Sequence, residues 1–331
     1  MKLAVKQVDA FTTKPFCGNP AGVITEADGL TLELMQKISA EMNLSESAFI
    51  SSFESDNNAF RIRFFTPSSE VDISGHVLIA SCYALIEEER ILLNDRISKV
   101  YFETNIGRLP VEIFFKKGRT RPRRSEANGD QAGIYLSGEN EGLLEKIMMT
   151  QRIDHYRQAD IPVSKIADIL GISEEHIIKT GLPLEIISTG LNQLMVPVYS
   201  KEIVRDMHPD LIKLGLLNRK FDVHTNHIFT LDTPSPDCVS YARHFAPAVG
   251  MWEDPATGTA SAGLGTYLLR HGVITSGSMM MEQGNEIDNL GRILVEVNED
   301  PSDVAEARIG GLAVTSISRE ISLENDLIVI T

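Results

Sequence analysis

Two short stretches of this chain place an acid, a hydroxyl and a glycine directly before an apolar run. The first reads Arg63-Phe64-Phe65-Thr66-Pro67, followed by Glu70-Val71-Asp72-Ile73-Ser74-Gly75-His76. The second, about 180 residues later, reads Arg243-His244-Phe245-Ala246-Pro247, followed by Glu253-Asp254-Pro255-Ala256-Thr257-Gly258-Thr259. Aligning Gly75 with Gly258 pairs Glu70 with Glu253 and Ser74 with Thr257. Each copy then enters an apolar helix, so one unit occurs twice: strand, proline turn, acidic loop, glycine, buried helix. A helix start leaves backbone N–H groups unpaired and carries a partial positive charge. Two such starts aimed at one point would hold a carboxylate without Lys or Arg, and glycines there would let the backbone approach a ligand closely. Ser74 and Thr257 are residue types that cap helices. The plainer alternative is two ordinary capped helices in unrelated places. The shared Arg, Phe, Pro and Glu around them favour duplicated halves with a ligand cleft between.

A proton-transfer group is also present. Glu46 stands in Asn43-Leu44-Ser45-Glu46-Ser47-Ala48-Phe49, after a helical stretch and before an apolar strand. A carboxyl group at such a junction, if held in an apolar cleft, has a raised pKa and can take and return a proton. The alternative is a solvent-facing glutamate at a strand start. His76, at a helix N-terminus, is biased toward neutral imidazole and could bond a developing enolate, or simply pack there. Asp254 could orient a partner, shuttle a proton, or cap its helix. His224 and His227 are three apart, but no strong helix puts them on one face, and no metal site is expected. His155, His176, His208, His244 and His271 are scattered. Cys17 reads as part of a tight loop. No G-x-G-x-x-G or G-x-x-x-x-G-K-[ST] pattern occurs, so nucleotide binding has no motif.

The elements that must carry these residues follow from periodicity. Strands are predicted at Leu3–Phe11, Ser47–Phe53 and Phe60–Phe65, the last two joined by a turn at Asp56-Asn57-Asn58. Thr31 is the expected cap of a helix to about Asn43, with Leu32, Met35, Ile38 and Met42 on its apolar face. Val77–Ile86 is apolar all round and reads as a buried helix, as does Thr259–Leu269. Strands follow at Lys99–Thr104 and Leu109–Phe115. The cationic run from Lys116 to Arg124 reads as a solvated connection. Beyond it come short helices at Ser164–Leu170 and Ser173–Lys179, with Gly171 as C-cap. Strands follow at Leu184–Ser188 and Gln193–Val198, then a short helix after Ser200. Further strands are expected at His227–Leu231, Cys238–Phe245, Ser278–Gln283, Ile293–Val297, Ala305–Ile309 and Leu327–Ile330. Strands dominate, which indicates α+β.

Composition narrows the function. At 331 residues the chain is long enough for two domains with cores of their own. Asp and Glu number 46 against 31 Lys and Arg, a net charge of -15 that argues against nucleic-acid binding. It leaves anionic small molecules open, because a local site can oppose the global field. Three cysteines without C-x-x-C spacing give no disulfide or zinc framework. Neither a signal-peptide pattern nor a membrane-length apolar run is seen, so a cytoplasmic protein without membrane partners is expected.

Asp9-Ala10-Phe11-Thr12, Pro15–Val23, Leu44-Ser45-Glu46-Ser47, Phe65-Thr66-Pro67, Glu70-Val71, Gly75-His76 and Glu253–Ala260 together resemble the signature blocks of phenazine-biosynthesis PhzF-like proteins. Glu282-Gln283-Gly284 and Arg308–Gly311 echo later blocks. The resemblance implies a diaminopimelate-epimerase-like fold: two pseudo-symmetric, strand-rich barrel domains, each around a central apolar helix. The halves are placed at 1–118 with 318–331, and 119–317. It implies cofactor-free isomerisation by proton transfer on a small carboxylate-bearing, possibly cyclic, metabolite, in a homodimer. It carries the acid/base role onto Glu46, supporting roles onto His76 and Asp254, and substrate binding onto Asn19, Ser45, Gly75, Gly258 and Thr259. Related epimerases and racemases hold two cysteines just before the two glycines, and PhzF-like members commonly keep one. Here Ser74 and Thr257 stand there, and a hydroxyl is a far poorer base than a thiolate. Two alternatives remain open: an epimerase or racemase of an amino or imino acid, and a small-acid binding protein without turnover.

Overall fold

The computed structural model describes residues 2–53, 58–93, 95–118, 133–275, 277–284, 290–297, 306–324 and 327–330. The chain divides into two compact units, residues 1–149 with 310–331 and residues 150–309. The first unit runs β1 (Lys2–Ala10), β2 (Asn19–Ile24), α1 (Leu32–Met42), β3 (Ser47–Ser52), β4 (Ala59–Phe65), β5 (Glu70–Val71), α2 (Gly75–Glu87), β6 (Ile97–Thr104), β7 (Gly107–Lys117), β8 (Ile134–Leu136) and β9 (Gly142–Arg152). The second has β10 (His155–Gln158), α3 (Val163–Leu170), α4 (Glu175–Ile178), β11 (Glu185–Ser188), β12 (Asn192–Pro197), α5 (Lys201–Asp206) and α6 (Leu211–Phe221). It continues with β13 (Thr225–Thr230), β14 (Cys238–Ala246), β15 (Met251–Asp254), α7 (Gly258–Arg270), β16 (Gly277–Gln283), β17 (Gly291–Val297) and β18 (Glu306–Gly311). The chain then returns to the first unit through β19 (Ala313–Glu324) and β20 (Leu327–Ile330).

The sequence repeat is a repeat of topology. In the first unit β2 runs parallel to β3, β3 antiparallel to β4, β4 antiparallel to β5 and parallel to β6, and β6 antiparallel to β7. In the second, β12 runs parallel to β13, β13 antiparallel to β14, β14 antiparallel to β15 and parallel to β16, and β16 antiparallel to β17. Register fixes the match residue by residue. Phe65 faces Ser47 and Glu70, while Phe64 faces Ala48 and Val71. Phe245 faces Asn226, while His244 faces His227 and Asp254.

Each unit is organised on one buried helix. In α2 every residue from His76 to Ile86 is buried, and the helix packs on β1, β2, β3 and β19. Each fully buried Leu or Ile there contributes about 1.5–3 kcal/mol. In α7 the small residues Ala260, Ser261, Ala262, Gly263 and Gly265 let β11, β12 and β17 approach closely. A Cβ at Gly265 would lie 2.8 Å from Val295 Cγ1 and 3.1 Å from Val297 Cγ1.

Most expected elements are present, within a residue or two. Thr31 caps α1 by accepting from Leu34 N, and Gly171 ends α3 in the left-handed region. Leu32 is exposed, so the core face of α1 is Met35 and Ile38 with Met42 at its edge. The first unit extends past the boundary expected at residue 118, because β9 pairs with β7 from Val111 to Lys117. It resumes at 310, because β19 pairs with β1 along nearly its whole length. Residues 56 and 57 of the expected turn, residues 119–124 of the cationic run and Ala305 lie outside the described residues. The sequence reading omits α6. This helix carries exposed Ile212 and Leu216 beside buried Leu214 and Leu217, so its apolar residues show no single face. Among the described residues no helix is long and apolar enough to cross a membrane.

A branched side chain at Gly265 must push the β17 valines away. Gly265→Val is expected to lower unfolding stability by about 1–3 kcal/mol, measured by urea denaturation.

Candidate active site

Glu46 is brought to the head of α2 by two local features. Asn43 takes a left-handed conformation (φ 51°) that ends α1 and turns the chain sharply, a geometry asparagine tolerates. Gly22 N then donates to the Glu46 carbonyl at 3.1 Å, opening the parallel β2–β3 pair. That approach needs glycine: a Cβ at 22 would lie 2.4 Å from Ser47 Oγ and 2.7 Å from Met42 Cε. Asn19, fully buried, begins the same strand β2 opposite Ala10.

The head of α2 has an unusual cap. Ser74 occupies the N-cap position with extended backbone, but its side chain caps nothing. Its hydroxyl donates to Glu46 Oε2. Ser74 Oγ also lies 3.3 Å from His76 Nδ1, and Ser45 Oγ lies 3.5 Å from His76 Nε2. Since the Ser74 hydrogen is committed to the carboxylate, its lone pair is left for a proton on Nδ1. That assigns His76 the Nδ1–H tautomer, with Nε2 able to accept from Ser45. His76 Nδ1 is 3.7 Å from Glu46 Oε2. Burial keeps this imidazole neutral, pulling its pKa down to about 3. The cluster is thus a partly buried carboxylate beside a hydroxyl donor and a neutral imidazole, next to half-buried Gly75.

The second unit builds a matching cluster from different positions. Thr257 is the N-cap of α7, again without a side-chain cap bond, and its hydroxyl donates to Asp254 Oδ2. Gln283 clamps the turn. Its Nε2 donates to the Asp254 carbonyl at 2.7 Å and to Thr257 Oγ1 at 2.9 Å, while its Oε1 accepts from Thr257 N at 2.9 Å. Asp254 and Gly258 are buried, and Thr259 is half-buried. The role expected for Ser74 and Thr257 therefore changes. Both hydroxyls serve a carboxylate, not the helix amides.

Behind each cluster the repeat supplies one anchor. Arg63 Nε and one terminal nitrogen donate to the two Glu70 oxygens, each at 2.8 Å. Arg243 does the same to Glu253, at the same distances. These paired forks fix the acidic loop against its strand. Each guanidinium also lies over the phenylalanine two residues on, 5.9 Å from the Phe65 ring and 5.0 Å from the Phe245 ring. Arg243 further donates to the carbonyls of Val204, Arg205 and Met207, satisfying the end of α5.

Within the first unit, Glu46, His76, Ser45 and Gly75 form one cluster; within the second, Asp254, Gly258 and Thr259 stand at the head of α7. Gln283 was visible to sequence reading only as part of a late block. His224 and His227 take separate partners, the backbone N of Asn192 and the His244 ring. Among the described residues no group of three or more His, Cys, Asp or Glu could hold a metal ion. The thiol in α2, Cys82, is buried two turns inside the helix, where burial pushes its pKa up.

Comparison with known proteins places this architecture. A family model described as phenazine biosynthesis-like protein, PhzC-PhzF, matches residues 8–319. An uncharacterized isomerase of Clostridium acetobutylicum is 34% identical over 326 residues, covering 97% of this chain and 99% of its own length. The trans-2,3-dihydro-3-hydroxyanthranilate isomerase of Pseudomonas aeruginosa is 28% identical over 313 residues, 92% of this chain and 94% of that one. A PhzF-family crystal structure from Bacillus anthracis superposes with a TM-score of 0.80 at 28% identity, covering 97% of this chain and 99% of that one. A hydroxyproline epimerase from Agrobacterium vitis shares the fold alone, with a TM-score of 0.59 at 12% identity and coverage of 98% and 92%. The duplicated α+β architecture, one strand-wrapped helix per unit, is the diaminopimelate-epimerase-like fold, here in an enzyme of the isomerase class. The chain belongs to the phenazine biosynthesis-like PhzC-PhzF family.

The state of His76 gives a pH test. Its folded pKa, about 3, lies below the unfolded value of about 6.5. The unfolded chain therefore binds more protons between these limits. The histidine's contribution is complete above pH 6.5 and is lost as pH falls, with a slope reaching about 1.4 kcal/mol per pH unit. The stability of wild type minus that of His76→Gln is expected to decrease from pH 7 to pH 4, measured by urea denaturation at each pH.

Proposed function

We propose that this protein is a cofactor-independent isomerase that moves a proton between two carbons of a small carboxylate-bearing ring compound, with Glu46 as the acid/base group. The observation that carries this reading is the Glu46–Ser74–His76 cluster. Glu46 abstracts a proton from a substrate carbon, and the electron pair moves into the adjoining π system. The protonated Glu46 then returns the proton at a second carbon, so the substrate gains and loses one proton. Ser74 holds the carboxylate in its reacting orientation. His76, neutral in this pocket, gives its Nδ1–H to the Ser74 oxygen and so directs the Ser74 hydroxyl at Glu46 without adding a charge beside it. The N–H groups at the start of α2, which the Ser74 side chain leaves uncapped, suit the substrate carboxylate. Asp254, held by Thr257, is the proposed second acid, and Asn19, Ser45, Gly258 and Thr259 are proposed to contact substrate.

The substrate class is taken from chemistry and kinship together. The Pseudomonas aeruginosa relative is named for a ring bearing carboxylate, amino and hydroxyl groups. A proton shift on such a ring needs one group that acts first as base and then as acid. Paired thiols, the means of stereo-inversion, are replaced at the two helix heads by Ser74 and Thr257. The reading therefore favours proton relocation over racemisation. It also takes the enzyme as a cytoplasmic homodimer, which light scattering after size exclusion would check.

The test incubates the enzyme with trans-2,3-dihydro-3-hydroxyanthranilate and related cyclic carboxylates in deuterated water, following product by NMR. Wild type is expected to place solvent deuterium at one product carbon, and Glu46→Gln to be slower by about 10²–10⁴. A Gln variant of full activity rejects the mechanism. Inversion of a single centre, seen by chiral chromatography of amino or imino acids, replaces it with an epimerase.

A further inference from the structure

Two fully buried histidines of the second unit have no part in the mechanism above. His227 Nδ1 and His244 Nδ1 lie 3.2 Å apart, on directly opposed positions of β13 and β14. His244 is in turn directly opposite Asp254 on β15. Directly opposed residues of antiparallel strands share one sheet face, with Cβ atoms about 4.5–5.5 Å apart. His227, His244 and Asp254 therefore form a row across three strands. The first unit provides a built-in control. Its matching row is Ala48, Phe64 and Val71, apolar throughout. Only the repeat with a carboxylate in this row also has imidazoles beside it.

An Nδ1-to-Nδ1 contact holds one hydrogen, so one ring must donate and the other accept. Burial favours the neutral form of both rings. A neutral pair sharing that hydrogen has one Nδ1–H and one Nε2–H tautomer, a fixed dipole and no net charge. The consequence for a neighbouring acid is specific. A Lys or Arg in that place would hold the carboxyl ionised, whereas an apolar residue would add no polar contact from the sheet to that of Thr257. A neutral imidazole pair can orient the carboxyl without fixing its charge, which suits a group that must gain and lose a proton.

We propose that the His227–His244 pair is a positioning device for Asp254. The inference rests on the reading of Asp254 as a proton-handling group. Its test uses the first repeat's own residues. His227→Ala combined with His244→Phe installs the Ala48–Phe64 pair, while Asp254→Asn is prepared in parallel. In protein labelled with 13C at aspartate carboxyls, the resonance missing from Asp254→Asn identifies Asp254. In the double variant this resonance is expected to move while the other aspartate resonances stay in place. Turnover is expected to fall about 10–100-fold, the scale seen when the outer partners of metal ligands are removed, with KM unchanged. If the double variant does not fold, His227→Ala and His244→Phe are examined singly, each expected to move the same resonance. An unmoved resonance with wild-type turnover, beside a slow Asp254→Asn, overturns the positioning role and leaves the reading of Asp254 standing. Wild-type turnover by Asp254→Asn overturns both.

Discussion

At the head of each buried helix, the residue in the capping position gives its hydroxyl hydrogen to a carboxylate and not to the helix. Two consequences follow from this one choice. The first turn keeps backbone amides that no side chain of the cap covers. The carboxylate, in turn, is held at a set orientation by a neutral donor. The rest of the local structure maintains this arrangement. The Arg–Glu forks hold the acidic loops, Gln283 clamps the turn in the second unit, and Gly22 lets the Glu46 backbone close on β2.

The duplication explains the economy of the design, and the divergence explains the chemistry. Register equates Phe65 with Phe245, and therefore Ser47 with Asn226 and Val71 with Asp254. Glu46 then corresponds to buried Thr225, and Asp254 to a valine. The two units have thus placed their carboxylates at non-equivalent positions, one before a central strand and one at the end of a short strand. In each, the acid meets the hydroxyl that precedes the helix glycine. The hydroxyl and glycine are the shared frame; the acid is supplied independently on each side.

Much of this was legible in the sequence. The paired Arg, Phe, Pro, Glu and Gly positions revealed the repeat, because a conserved spacing inside one chain needs no outside reference. The all-apolar runs after Gly75 and Gly258 revealed the two central helices, because burial on every face removes the need for periodicity. The same logic hid α6, whose exposed Ile212 and Leu216 blur its core face. β19 escaped because its pairing partner, β1, lies some 300 residues away, and nothing local records such a contact. The domain boundary shifted for the same reason, since β9 belongs with β7 by pairing and not by composition.

The site was harder to read because its decisive bonds cross between elements. Ser74 and Thr257 are capping residues by type, and spacing alone makes the helix the obvious recipient of their hydrogens. What redirects them is a competing acceptor. A carboxylate accepts a hydrogen bond more strongly than a neutral group does, and water still reaches part of the helix head to serve half-buried Gly75. Replacing a thiol by a hydroxyl at this position then has a clear meaning. A thiolate there would be the base itself. A hydroxyl cannot be, but it can donate, and at the head of α2 it donates to Glu46. The hydroxyl at each helix head therefore holds a carboxylate in place and is not itself a base.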